Sequence, residues 1–109
     1  MVVDTRKHKR YLAKLMVNVK TPSFSTWGVL RDVSEGGIFI QTKKKIVMDT
    51  IIDMELVLPD KTISSVRGIV RRATTIAGSN RECGMGIELI EKDNKYTNFV
   101  KALTKRRKV

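Results

Sequence analysis

Little in this chain equips it for catalysis. It has one cysteine, Cys83, and one histidine, His8. A single thiol excludes an internal disulfide, and the pair falls short of the Cys/His set that zinc requires, so neither a metal nor a cofactor is expected. Cys83 reads as a buried, inert thiol. His8 sits among Arg6, Lys7, Lys9 and Arg10, where neighbouring cations disfavour its charged form and no acid–base partner is evident. Asp32 and Ser34 lie close together but lack a base. With no nucleophile–base pair and no carboxylate pair, the chain is not expected to be an enzyme. The N-terminal stretch lacks the apolar core of a signal peptide, and no run approaches the ~20 apolar residues of a membrane-spanning helix. The expectation is a cytoplasmic protein.

Acidic residues are also scarce, at 11 against 22 Lys and Arg. The excess is uneven. Residues 1–20 hold six basic side chains and one Asp, residues 101–109 hold five basic and no acidic, and the eighty residues between are nearly neutral at +1. Charge gathered at two ends, unlike a uniformly basic body, suits either local capture of an anion or loose electrostatic attraction to a polyanion, and composition leaves both open. Six aromatics in all leave few platforms for stacking successive bases, so nucleic acid is an unfavoured partner.

What remains reads as one domain of 109 residues, all-β, closed by a helix. Short runs rich in β-branched residues are separated by turn formers. Lys14–Lys20 alternates and ends at Thr21-Pro22-Ser23. Trp27–Val33 and Ile38–Thr42 flank Ser34-Glu35-Gly36-Gly37, and Trp27, near a strand start, reads as core. Ile51–Leu58 is stopped by Pro59-Asp60-Lys61. In Ile63–Arg72 the residues Val66, Gly68 and Val70 share a face, and in Glu82–Ile90 so do Met85, Ile87 and Leu89. Six strands with hairpin-sized breaks predict an antiparallel barrel, which leaves no free edge. Beyond it Tyr96, Phe99, Val100 and Leu103 fall at i, i+3, i+4 and i+7, and Asp93 is positioned to cap that helix. The expected divisions are a flexible basic arm over residues 1–12, the barrel over 13–91, and the helix and basic tail over 92–109.

Two constellations carry binding chemistry. Arg6 and Arg10 are separated by three residues, and arginine's planar fork matches phosphate oxygens bidentately and stacks on purine faces. In Asp32-Val33-Ser34-Glu35-Gly36-Gly37 the carboxylate can accept from the N1–H and N2–H of guanine, the serine hydroxyl can bond a phosphate or a base edge, and glycine allows close backbone approach. Taken singly, each also fits an uneventful reading: a solvated basic run and an ordinary hairpin.

Together they resemble the PilZ domain family, whose signature is R-x-x-x-R followed some twenty to thirty residues later by [D/N]-x-S-x-x-G. Arg6 and Arg10 match the first part; Asp32, Ser34 and Gly37 match the second. Gly84-Met85-Gly86-Ile87-Glu88 is similar to the family's glycine-containing last strand, so the resemblance covers nearly the whole chain. It implies a six-stranded split-barrel fold with a C-terminal helix and a receptor for the bacterial second messenger cyclic di-GMP, bound by Arg6, Arg10, Asp32, Ser34 and Gly37. Lys7, Lys9, Gly36 and Arg71, or its neighbour Arg72, are secondary candidates. It further implies a ligand-induced change of the arm, relayed to an unidentified partner protein by a monomer or a ligand-dependent dimer. The competing readings are a PilZ-like scaffold that binds no nucleotide and a basic nucleic-acid-binding barrel.

Overall fold

The computed structural model describes residues 9–75 and 83–106. Six strands, β1 (Tyr11–Lys20), β2 (Ser25–Val33), β3 (Gly37–Thr42), β4 (Ile51–Val57), β5 (Ile63–Thr75) and β6 (Cys83–Lys92), precede one helix, α1 (Asn94–Arg106). All neighbouring strands are antiparallel, and the barrel closes in the order β1-β2-β3-β6-β5-β4. The architecture expected from the strand pattern is therefore present. The sequence pattern does not, however, foretell that β6 lies between β3 and β5.

Alternation fills the interior. Val17, Val19, Leu30, Val33, Ile38, Ile40, Ile52, Met54, Leu56, Val70 and Met85 point inward and are buried. Each such side chain stabilises the fold by about 1.5–3 kcal/mol. The period also corrects one expectation. Gly28 and Leu30 occupy the inward positions of β2, so Trp27 points outward and is 56% exposed. Cys83, at the start of β6, is half-buried rather than buried.

Bulges interrupt the period at three useful places. In β1 the register slips between Leu12 and Leu15, in β2 between Leu30 and Asp32, and in β5 between Val70 and Arg72. An extra residue twists a strand and re-aims its side chains. The β1 slip explains why the strand begins at Tyr11, earlier than the clean alternation from Lys14 indicates. The β5 slip leaves both Arg71 and Arg72 exposed on the outer surface.

α1 seals one mouth of the barrel. Asp93 caps it as expected, its Oδ1 accepting from the Tyr96 N–H at 2.9 Å and from the Ser64 hydroxyl at 2.7 Å, while Oδ2 accepts from the Ser65 N–H at 2.8 Å. Burial pushes the Asp93 carboxyl up, but these three hydrogen bonds outweigh it and hold the group below the usual aspartate value. Along the apolar stripe Tyr96 and Val100 are buried, and Phe99 and Leu103 pack against the core from its margin. Among the described residues no helix is long and apolar enough to cross a membrane.

Candidate functional site

The β2–β3 turn is built around Ser34. Its backbone N–H donates to the Gly37 carbonyl at 2.8 Å, its hydroxyl donates to the same oxygen at 3.2 Å, and the Gly37 N–H donates to the hydroxyl at 3.0 Å. Ser34 is buried. Its hydroxyl is thus engaged in shaping the turn before any ligand arrives, a use the sequence did not disclose.

Three further contacts pin the turn to the barrel mouth. The Tyr96 phenol donates to the Ser34 carbonyl at 2.5 Å, the Leu89 N–H donates to the Gly36 carbonyl at 2.9 Å, and the Lys92 ammonium donates to the Glu35 carbonyl at 2.6 Å. Burial pushes the Tyr96 phenol far above its ordinary pKa, so it remains a donor at any physiological pH. Gly37 is required by close approach rather than by positive φ, because a Cβ there would lie 2.8 Å from the Ile87 carbonyl of β6.

Arg10 sits immediately before β1, and Asp32 near the end of β2. The Leu12–Asp32 pairing brings them together. The Arg10 Nε donates to Asp32 Oδ1 at 2.6 Å and Nη2 approaches the same oxygen at 2.5 Å, so both contacts land on one oxygen and neither on Oδ2. The two side chains are about three-quarters buried, at 26% and 24% exposure. An ion pair of this kind orients both groups while a lone pair of the carboxylate remains for another donor.

Arg10, Asp32, Ser34, Gly36 and Gly37 form one side of a cleft of about 680 Å³ on the outer wall of the barrel. Its other side is Arg71 and Arg72 from β5, and Phe39, Gly86 and Glu88 form its floor. Phe39 is half-exposed, and its ring lies across Gly84, where an added Cβ would fall 2.5 Å from the ring edge. Arg71 is held by Glu88 at 2.7 Å and Asp49 at 3.6 Å. Arg72, beside Gly86, pairs with no carboxylate among the described residues. Three guanidinium groups and two carboxylates line the cleft, together with a phenyl face. Such a set suits a planar, phosphate-bearing ligand whose polar edge donates hydrogen bonds.

Of the residues singled out from sequence, Arg10, Asp32, Ser34, Gly36, Gly37 and Arg71 therefore converge on one cleft. Lys9 is exposed and is not among its lining residues, and Arg6 and Lys7 lie outside the described residues, as does His8. Arg72, the alternative to Arg71 among the secondary candidates, lines the cleft as well, whereas Phe39, Gly86 and Glu88 were not named as binding residues from the sequence. Their place depends on the β3–β6–β5 adjacency, and the only local hint was the Gly84/Gly86 spacing that makes room for a ring and a guanidinium. Among the described residues no cluster of three or more His, Cys, Asp or Glu could hold a metal ion.

The fold and cleft define a small antiparallel barrel with an anion-receptive site on its outer wall, beside the mouth sealed by its helix. The PilZ domain family model matches residues 4–105, and the chain belongs to that family. Solved structures agree on the fold. The Bacillus subtilis inhibitor of motility MotI/DgrA superposes with a TM-score of 0.81 at 18% identity, covering 96% of this chain and 52% of the other. The PilZ domain of Escherichia coli YcgR, solved with c-di-GMP, gives 0.68 at 13% identity over 94% of this chain and 88% of that one. The K. pneumonia MrkH–c-di-GMP complex gives 0.76 at 15% identity over 98% and 57%. This chain thus spans about half the length of MotI and of MrkH. No curated protein matches the sequence as a relative.

Proposed function

We propose that this protein is a receptor for cyclic di-GMP that binds the dinucleotide in the Arg10–Asp32 cleft without chemically changing it. The observation that carries the reading is the convergence, in one cleft, of Arg10 from the first half of the family signature and Asp32, Ser34 and Gly37 from the second with two further arginines from β5. Cyclic di-GMP has two phosphates and two guanines. The guanidinium groups match the phosphates, Asp32 Oδ2 can accept from a guanine N1–H/N2–H edge, and Phe39 offers a stacking face. Asp32 is held ready by Arg10, and the turn is held open by Ser34, so little ordering is needed on the barrel side. The remaining cost is that of immobilising the ligand itself.

Charge-assisted hydrogen bonds contribute about 1.5–3 kcal/mol each, and three or four of them support micromolar affinity after that cost. The arm, drawn over the ligand, changes the surface offered to a downstream protein, and a ligand shifts that equilibrium only as far as it prefers the closed form. The setting is the bacterial cytoplasm, where the messenger is made and degraded. A ¹⁵N-labelled sample titrated with cyclic di-GMP tests the site. The amides of Gly36, Gly37, Phe39, Arg72 and Gly86 should shift together and saturate, while those of β4 stay still. Shifts confined to β4, or none, would remove the proposal.

A further inference from the structure

The charge of the barrel is divided by strand. From Lys9 to Arg31, and again from Gly36 to Met48, there is no Asp or Glu, so strands β1, β2 and β3 carry one carboxylate, Asp32, already paired with Arg10, and Glu35 lies in the turn between β2 and β3. The carboxylates Asp53, Glu55, Glu88 and Glu91 lie on β4 and β6, each beside a Lys or Arg. On this acid-poor flank Met16 pairs with Val29, and Trp27, opposite Asn18, stands diagonal to Met16. Met16 and Trp27 are 51% and 56% exposed, and Leu12, across the β1 bulge, is 79% exposed. Lys14 and Arg31, exposed at the two bulges, and Lys43, Lys44 and Lys45, exposed after β3, border them, while on the β4 side Glu55, opposite Asn18, is paired with Lys20.

We propose that this flank docks on an anionic lipid membrane, lying in the interface with Trp27 and Met16 among the headgroups and the lysines on their phosphates. Apolar side chains that protrude within a cationic rim, with an indole among them, are the chemistry that peripheral proteins use at anionic bilayers. A second copy of this chain is a poor occupant, because like charges would face each other across the contact. A protein strand finds no free edge, because the barrel is closed. Neither the cavity lined by Arg10 nor the one lined by Arg67 includes Met16 or Trp27. This docking does not depend on the nucleotide reading.

Trp27 is the only tryptophan, so its emission reports this flank alone. Vesicles of phosphatidylcholine with phosphatidylglycerol should shift the emission to the blue and carry the protein on flotation, an effect that added salt reverses. Pure phosphatidylcholine should do neither. Lys14→Glu should weaken binding at least about fivefold, and Met16→Ser should lessen the shift, with unchanged thermal transitions. The salt and lipid comparisons on the unaltered protein stand even if a variant folds poorly. Equal response to neutral vesicles, or no response to either, would overturn the proposal. So would the same shift from polyglutamate without lipid, which assigns the flank to an acidic protein, or a concentration-dependent shift in buffer alone, which assigns it to a second copy.

Discussion

Replacing Tyr96 with phenylalanine keeps the ring that plugs the barrel mouth and removes one atom, the oxygen whose proton is donated to the Ser34 carbonyl at 2.5 Å. Tyr96 is fully buried and Ser34 nearly so, so water does not take the lost donor's place. A buried carbonyl stripped of its partner costs about 1–3 kcal/mol. We expect a loss of about 2 kcal/mol by urea denaturation, with the slope of the transition unchanged. At roughly 4–8 °C for each kcal/mol in a domain of this size, Tm should fall by about 8–16 °C. The ring is the larger contributor, and Tyr96→Ala should cost about 3–5 kcal/mol, because a cavity opens as well. The wild type carries a further mark. Its folded phenol pKa is raised by burial, so the stabilisation is whole below the unfolded value of about 10 and is lost as pH rises above it. Tyr96→Phe should lack that alkaline decline. If Tyr96→Phe matches the wild type within about 0.5 kcal/mol, the idea that α1 secures the binding turn through this contact is wrong.

Other expectations concern the same turn and its cap. Ser34→Ala strands the Gly37 N–H and should destabilise the protein by about 1–3 kcal/mol before any ligand is added, measured by thermal melting. If instead its stability is unchanged and only ligand affinity falls, Ser34 serves the ligand and not the turn. Asp93 has a lowered folded pKa, so its contribution is present above the unfolded value near 4 and disappears as pH falls below it. Asp93→Asn should therefore show a shallower loss of stability between about pH 5 and pH 2, read from melts across that range, and an identical slope would contradict the assignment. Arg72→Ala should weaken cyclic di-GMP about tenfold or more with little change in Tm, since no carboxylate among the described residues is left unpaired.

How much of this was legible from sequence depended on whether the information was local. The helix was, because Asp93, Tyr96, Phe99, Val100 and Leu103 set cap and stripe within eleven residues. The strands were too, wherever a period of two survived. Where a bulge broke it, as between Leu12 and Leu15, the strand start was hidden. Trp27 was misjudged because its residue type suggested core, whereas its parity with Gly28 and Leu30 decided otherwise. The Arg10–Asp32 side of the cleft was readable from motif spacing. Of the opposite wall only Arg71 and Arg72 were raised as secondary candidates, and the floor was not readable, since Phe39 and Gly86 meet those arginines only once β6 inserts between β3 and β5. The role of Ser34 was hidden for a different reason. A serine in a turn is chemically able to bind a phosphate or its own backbone, and only the geometry shows its hydroxyl committed to Gly37.

The central claim rests on the cleft that joins Arg10 to Asp32, and calorimetric titration with cyclic di-GMP tests it most directly. The account expects saturable binding in the micromolar range or tighter, insensitive to excess GTP. Arg10→Ala and Asp32→Ala should each weaken it by roughly tenfold to a hundredfold, the worth of one charge-assisted hydrogen bond. The measured stoichiometry would also separate one bound ligand from a stacked pair. Absence of heat at high micromolar ligand, or binding that both variants retain in full, would contradict it.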